Sequence, residues 1–421
     1  MNKLKIKFHK IDNFSSFLFI LIPFGLITGP FIPDFFVVVI SLLFLYKVLS
    51  SKYYDIFKIR FILFFYIFYF LIILSSFLSE YALYSLKTSI PYLRFGLFSL
   101  STYLLFLNNK KIVKYLTYVF LIILVALCID SLVEFIFNKN IFGWKKVDSN
   151  FRITSFFGED EVLGSYIARF FPFIISLIFF SKQEFKLKIN NLQIFFVIVV
   201  SFLITFISGE RTSLVLIVIS IFLMLVSCKD LRKIISISML IIIFLSSTLI
   251  LYKPKLKERF YDQIISQMNL NNSNERIKVF SKEYEGHYII AYRMFKEKPL
   301  LGHGVKSFRK YCSKPENYLY ERACTTHPHN IYMQLLSETG IFSFFIILFC
   351  FIFSGASILR LAFKNFNSKN LLIQSKILLY IFFFVNLFPF LPSGNLFNNW
   401  ISVIYFMPVG FLIYMNNYKI K

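Results

Sequence analysis

The sequence predicts an all-α polytopic membrane bundle of about twelve transmembrane helices with one large helical loop on the outer side. Three observations carry this. Hydrophobic residues fill 57% of the 421 positions and charged residues only 16%, well under the soluble average of about 25%. Apolar runs close to the roughly 20 residues needed to cross a bilayer recur along the whole chain. The short basic clusters between them fall on alternate connections.

The apolar runs lie at 14–29, 33–50, 60–78, 90–107, 113–137, 162–180, 192–208, 212–228, 234–252, 341–361, 377–392 and 400–415. The first follows Lys3, Lys5, Lys7 and Lys10 and superficially resembles a secretory signal. No small-residue cleavage site follows it and a second run begins almost at once, so it is expected to stay as a span. One set of connections holds that lysine cluster, then Lys52, Lys58 and Arg60, then Lys110, Lys111 and Lys114, then Lys182, Lys186 and Lys188. It continues with Lys229, Arg232 and Lys233, with Arg360, Lys364, Lys369 and Lys376, and with Lys419 and Lys421. The intervening turns at Gly29-Pro30 and 392–399 have no Lys or Arg, and 79–89 has only Lys87. The positive-inside rule then expects both termini in the cytoplasm. The segments 138–161 and 253–340 become outer loops. The first balances its cations with Asp148, Glu159, Asp160 and Glu161, and the second is long enough to translocate regardless of charge.

The chain therefore divides into spans one to nine (1–252), the outer loop (253–340) and spans ten to twelve (341–421). The loop holds 15 Lys and Arg against 9 Asp and Glu, and four of the five histidines. It should be largely helical, with the polar stretch Asn269–Asn274 as a hinge. The net charge of +24 does not indicate a nucleic-acid binder, which gathers its cations on one soluble surface. Here they sit mostly in short connections.

Ionisable residues within spans are costly and therefore informative. Arg94, Asp130, Glu134, Arg169 and Arg211 all fall in the outer third of the expected bilayer. A transporter would instead place polar groups near the midplane. The predicted site opens outward.

Two stretches are most specific. Ser208-Gly209-Glu210-Arg211-Thr212-Ser213-Leu214 breaks two apolar runs with an arginine at the membrane surface. His327-Pro328-His329-Asn330 leads through Gln334 to Ser337-Glu338-Thr339-Gly340 and a span. Together they resemble the O-antigen ligase and O-antigen polymerase superfamily of bacterial inner membranes, whose fold is GT-C-like. Arg211 matches its Gly-x-Arg-x-x-x-Leu-like element, although Val215 stands at the leucine position with Leu214 one place early. His329, Asn330, Glu338 and Gly340 match its His-Asn…Glu-x-Gly string, and Pro299–Gly304 followed by Ser307-Phe308-Arg309 adds to the likeness. The motif-level likeness covers about 205–345 and is topological elsewhere.

The resemblance implies an undecaprenyl diphosphate-linked glycan donor, an acceptor that is lipid A–core or a second lipid-linked glycan, and no cofactor or metal. A diphosphate needs multi-donor cations, and the planar guanidinium suits phosphate oxygens. Arg211 is the first candidate, with Arg276, Arg293 and Arg309 from the loop and Arg94 and Arg169 from the spans in support. His329 falls on the family's essential histidine, as general base or acceptor-orienting group, a task that suits a pKa near neutrality. His327, two positions away, should not share a helical face with it. Glu338 and Gly340 should be structural, turning the re-entry helix into the span. Cys312 and Cys324 suit a disulfide in an oxidising compartment, with a zinc site including His327 and His329 as the rival. The ligase and polymerase readings stay open, as does a polysaccharide exporter without chemistry. Transfer or translocation of labelled glycan separates them.

Overall fold

The computed structural model describes residues 8–144, 152–268, 280–365 and 369–418. In chain order its main helices are α1 (His9–Thr28), α2 (Phe31–Ser51), α3 (Arg60–Phe77), α4 (Ala82–Asn108), α5 (Lys111–Phe137), α6 (Leu163–Phe185), α7 (Asn191–Ile207) and α8 (Arg211–Ser227). They continue as α9 (Lys229–Tyr252), α10 (Lys282–Glu297), α11 (Ile331–Lys364), α12 (Leu371–Asn386) and α13 (Asn399–Asn417). No β-strand occurs among the described residues. Nine of these helices are long and apolar enough to cross a membrane; α7, α8 and α12, with 17, 17 and 16 residues, are shorter apolar helices.

Each apolar run lies on one of these helices, with one boundary corrected. The run drawn to 392 ends as helix at Asn386 and begins earlier, at Leu371. Pro389 and Pro392 lack the N–H a helix needs, so the apolar stretch beyond Asn386 is coil. Asparagines set several starts. Asn190 and Gln193 form a reciprocal capping box on α7, and Asn330 accepts from Tyr332 N and Met333 N to cap α11.

Helix α6 is almost wholly buried at the centre and packs most extensively on α12. Small polar residues let the two approach. Ser176 Oγ donates to the Ser375 carbonyl at 2.8 Å and Ser375 Oγ donates back to the Ser176 carbonyl at 2.9 Å. Such pairs satisfy hydroxyls where no water competes. Aromatic rings fill the remaining core, with Phe170, Phe173 and Phe382 in mutual contact.

At one end of the bundle Lys110 meets Glu184 and Tyr418, Lys47 pairs with Asp12 at 2.6 Å, and Gln374 bonds Asp230. At the other end the described segments 253–268 and 280–330 lie over the turns between helices. It adds a satellite core of Ile290, Ala291, Met294, Phe308, Tyr311, Cys312 and Ala323, closed by the Cys312–Cys324 disulfide. With both sulfurs committed to each other, neither is a thiolate for the rival zinc site. The polar stretch at 269–274 and Arg276 lie outside the described residues.

One interlock ties this segment to the bundle. Within α11 the backbone breaks at Gly340, with φ of +77°, and the turn and loop at 299–304 fit into the break. His303 N donates to Ser337 O at 3.0 Å, Gly304 N to Glu338 O at 2.8 Å, and Ile341 N to Pro299 O at 3.0 Å. A Cβ at Gly340 would overlap the Leu300 carbonyl, and one at Gly302 (φ +65°) would overlap Glu338 backbone. Both positions need glycine for conformation and for space.

Candidate active site

The turn between α7 and α8 is built around a buried carboxylate. Glu210 accepts from Gly164 N at 2.6 Å, from Ser165 N at 3.0 Å and from Ser213 Oγ at 2.9 Å. It thereby satisfies N–H groups at the start of α6, where the helix dipole favours negative charge. Burial nevertheless raises its pKa to about 7, against the lowering effect of those hydrogen bonds. Ser165 Oγ in turn accepts from Arg169 Nε at 3.0 Å. One carboxylate thus fixes both the first residue of α8, Arg211, and the turn of α6 that orients Arg169.

Arg211 is held by neutral groups. Its Nε donates to the Arg259 carbonyl at 3.1 Å, and its two terminal nitrogens to Gln263 and Gln267 at 2.6 Å each. Arg259, on a π-helical turn spanning Glu258–Asp262, donates to the Gly209 carbonyl and to Gln263, both at 3.0 Å. Among the described residues neither guanidinium has a carboxylate partner. Arg152, whose charge acts on both, is paired with Glu161. Burial and then repulsion from Arg152 and Arg211 lower Arg259 to about 10. Crowded, half-buried guanidiniums that no carboxylate bonds directly are suited to a multivalent anion, although Glu161 offsets part of the charge on Arg259.

The second wall carries three histidines. His327 and His329 have ring centroids 4.1 Å apart, and His287 from α10 stacks on His329 at 5.1 Å. The expectation that His327 and His329 diverge is corrected, because the chain there is not helical. His329 has φ of +54°, a left-handed conformation that turns its ring back over His327. His287 Nε2 donates to the Arg322 carbonyl at 3.0 Å, and His327 lies between Thr326 Oγ1 and Ser393 O. Neither ring nitrogen of His329 has a partner among the described residues. The near-neutral pKa expected for His329 is corrected too. Burial first, then the neighbouring His287, lowers it to about 4, and burial lowers His327 to about 3. Both rings are therefore neutral near pH 7, and His329 is an acceptor without a partner among the described residues.

The motif residues around it hold the wall. Asn330 Nδ2 donates to Pro389 O at 2.7 Å, Ser393 N donates to the His329 carbonyl at 2.8 Å, and Ser393 Oγ accepts from Ile331 N at 2.9 Å. Gln334 bridges Glu338 at 2.9 Å and Asn395 at 2.8 Å, and Phe308 N also donates to Glu338. Glu338 is fully buried and faces the protein.

These walls enclose a cavity of about 1310 Å³ lined by Arg152, Arg169, Arg211, Arg259, His287, His327, His329, Lys306, Arg309 and Arg322, among others. Arg169, 4% exposed, donates to Asn386 at 2.9 Å and to Tyr405 at 3.4 Å and has no acidic partner among the described residues. Arg94 does not line the cavity. It is neutralised by Asp34 at 2.8 Å and also bonds Asn399. Arg293 lies exposed on α10, outside the cavity lining. Asp130 and Glu134 hold the chain around Ser155, accepting from its hydroxyl and amide respectively. Lys306 sits within the Pro299–Arg309 stretch that adds to the family likeness, whereas Arg152, Arg259, His287 and Arg322 join the site without a local signal. Their neighbours in sequence form no motif, and only tertiary packing brings them in.

The architecture is that of a multi-spanning helical membrane protein with a cationic, histidine-bearing cavity at one end of its bundle. A family model described as O-antigen ligase matches residues 194–348, which supports placing the chain in the O-antigen ligase and polymerase superfamily. Comparison with curated proteins gives no match. The matched stretch contains Arg211, Arg259, all three cavity histidines and the Gly340 break. This family and the apolar helices fit a glycan-processing enzyme of a bacterial membrane.

Proposed function

We propose that the chain is a glycosyltransferase that moves a glycan from undecaprenyl diphosphate to an acceptor sugar hydroxyl at the outer face of the inner membrane. The observation that carries this is the pairing, in one cavity, of guanidiniums that lack carboxylate partners with a histidine that lacks a hydrogen-bond partner, both among the described residues. The diphosphate takes the cations at Arg211 and Arg259, with Arg152 and the buried Arg169 alongside. In the reaction the acceptor oxygen bonds to the anomeric carbon as the bond from that carbon to the diphosphate oxygen breaks. The hydroxyl proton passes to His329, and the electron pair leaves with the diphosphate. A neutral His329 is the form that can accept that proton, and the bound anion raises its proton affinity as transfer proceeds.

On this reading the basic end of the bundle and both termini face the cytoplasm, and the segment from 253 to 340 faces outward. All twelve apolar helices then serve as spans, the three shorter ones with about 25 Å of helix each. One dominant outer segment favours the ligase form with a lipid A–core acceptor over the polymerase form. Purified protein in proteoliposomes, given radiolabelled lipid-linked donor and each acceptor separately, tests both. Extension of lipid A–core supports the ligase, extension of a second lipid-linked repeat supports the polymerase, and transfer to neither rejects the proposal.

A further inference from the structure

Three other cations on the cavity wall differ from the arginines assigned to the diphosphate. Lys306, Arg309 and Arg322 line the same cavity, and among the described residues none of their side-chain nitrogens has a hydrogen-bond or ion-pair partner. They form a separate group. The charge of Glu338 and then that of Arg309 act on Lys306, and Arg309 also acts on His327, whereas the charge of Arg152 acts on Arg211 and Arg259. The histidines stand between, with His287 tied to the Arg322 carbonyl on one side and Tyr284 feeling Arg152, Arg211 and Arg259 on the other. Lys306 is half-buried and held at φ of +61°, and Arg309 starts the next helical turn on the satellite core. Tyr84 adds an aromatic face to the cavity and carries the Lys310 ammonium 5.5 Å above its ring.

Resting on the transfer reading above, we infer that Lys306, Arg309, Arg322 and Tyr84 form the acceptor subsite and that the acceptor is an anionic glycan, bearing phosphate or carboxylate close to the hydroxyl that is glycosylated. A neutral sugar has no use for two guanidiniums without acidic partners among the described residues and an ammonium beside them. An anion here would be matched by charge-assisted hydrogen bonds. Donor and acceptor then each have their own counter-charges on the wall of one cavity, which His329 also lines.

Binding and transfer test this separately. Three soluble glycans identical except for a phosphate, a carboxylate or neither are titrated into the full-length protein in nanodiscs. The phosphorylated or the carboxylated glycan, whichever the subsite selects, should bind at least about tenfold more tightly than the neutral one. K306Q/R309Q, and independently R309Q/R322Q, should erase that preference, while inorganic diphosphate should still bind and should lose affinity only in R211Q. In the transfer assay the same double variants should raise the acceptor KM about tenfold and leave the donor KM unchanged. Equal affinity for all three glycans, or a preference that survives both double variants, overturns the inference. Glycan binding that behaves as expected while no transfer occurs with any acceptor keeps the subsite and overturns the transfer reading instead.

Discussion

Arg211 and His329 place opposite electrostatic demands on one cavity. The guanidinium has no carboxylate partner among the described residues, and on the proposed reading the imidazole must stay neutral until a proton is offered. On the proposed reading, replacing Arg211 by Ala would remove transition-state donors from a leaving diphosphate. Losing a comparable single donor elsewhere costs about 10²–10³ in kcat, and R211K should recover only part of this, because an ammonium lacks the planar fork. Steady-state transfer rates in proteoliposomes check it, and unchanged kcat/KM in Arg211→Ala would remove Arg211 from the chemistry. His329 makes a pH prediction. Its pKa falls from the ordinary 6.5 to about 4, so the native site binds fewer protons than an unfolded chain between those values. The associated stability is complete above about pH 6.5 and is lost as pH falls towards 4. The acid limb of kcat/KM, which reports the free enzyme, should fall near pH 4. A limb centred at or above 6.5 would show that the ring is not in the buried environment described.

At the scale of elements, the sequence was most informative where chemistry is local and least where packing decides. Apolar runs are legible because length and composition alone specify a span. The exception at 387–392 arose from counting hydrophobicity through two prolines. Arg211 and His329 stood out because glycine, proline and asparagine mark breaks beside them. Arg259 and Arg152 did not, since a guanidinium in a polar segment looks the same whether it faces a cavity or water. The geometry of His327 and His329 was misjudged for a related reason. Alternation arguments assume a regular backbone, and a left-handed residue cancels them. The Gly340 interlock yields a prediction at this level. Gly340→Ala must accept both a left-handed backbone, about 1–3 kcal/mol for a non-glycine residue, and overlap with the Leu300 carbonyl. Its melting temperature in detergent should drop by several degrees and transfer should fall with it. Gly355→Ala in the same helix meets only the Phe384 ring, at 3.1 Å, and serves as the tolerant control. Equal melting of the two variants would mean that the interlock contributes nothing. The Cys312–Cys324 bridge, 12 residues apart, acts on the same segment. Opening a loop of that size costs about 3 kcal/mol by chain entropy, so C312S/C324S should sensitise 280–330 to proteolysis before the helices of the bundle.

At the scale of the molecule, charge and geometry agree in a way that a single measurement can break. The turn at Gly29-Pro30 and the segments around 152–162, 210–216, 259–268, 280–287, 306–329 and 390–401 converge on one cavity. Lys110, Glu184 and Tyr418 meet elsewhere, at the ends of α4, α6 and α13. If the basic end is cytoplasmic, the cavity must open to the outside, where the lipid-linked donor presents its diphosphate. Lys310 and Lys111 are both exposed and belong to the two different ends. In a background with Cys128, Cys228 and Cys350 replaced by Ala or Ser, Lys310→Cys should react with a membrane-impermeant maleimide in intact spheroplasts. Lys111→Cys should react only after permeabilisation. Labelling of both from one side would contradict the even alternation of connections. Labelling of Lys111→Cys alone from outside would invert the bundle, leaving Arg211 and His329 facing the cytoplasm and without access to an outward-facing lipid diphosphate. The expected pattern keeps the guanidiniums, the free imidazole and the anionic acceptor's counter-charges on the same side of the membrane as the substrate they are built to hold.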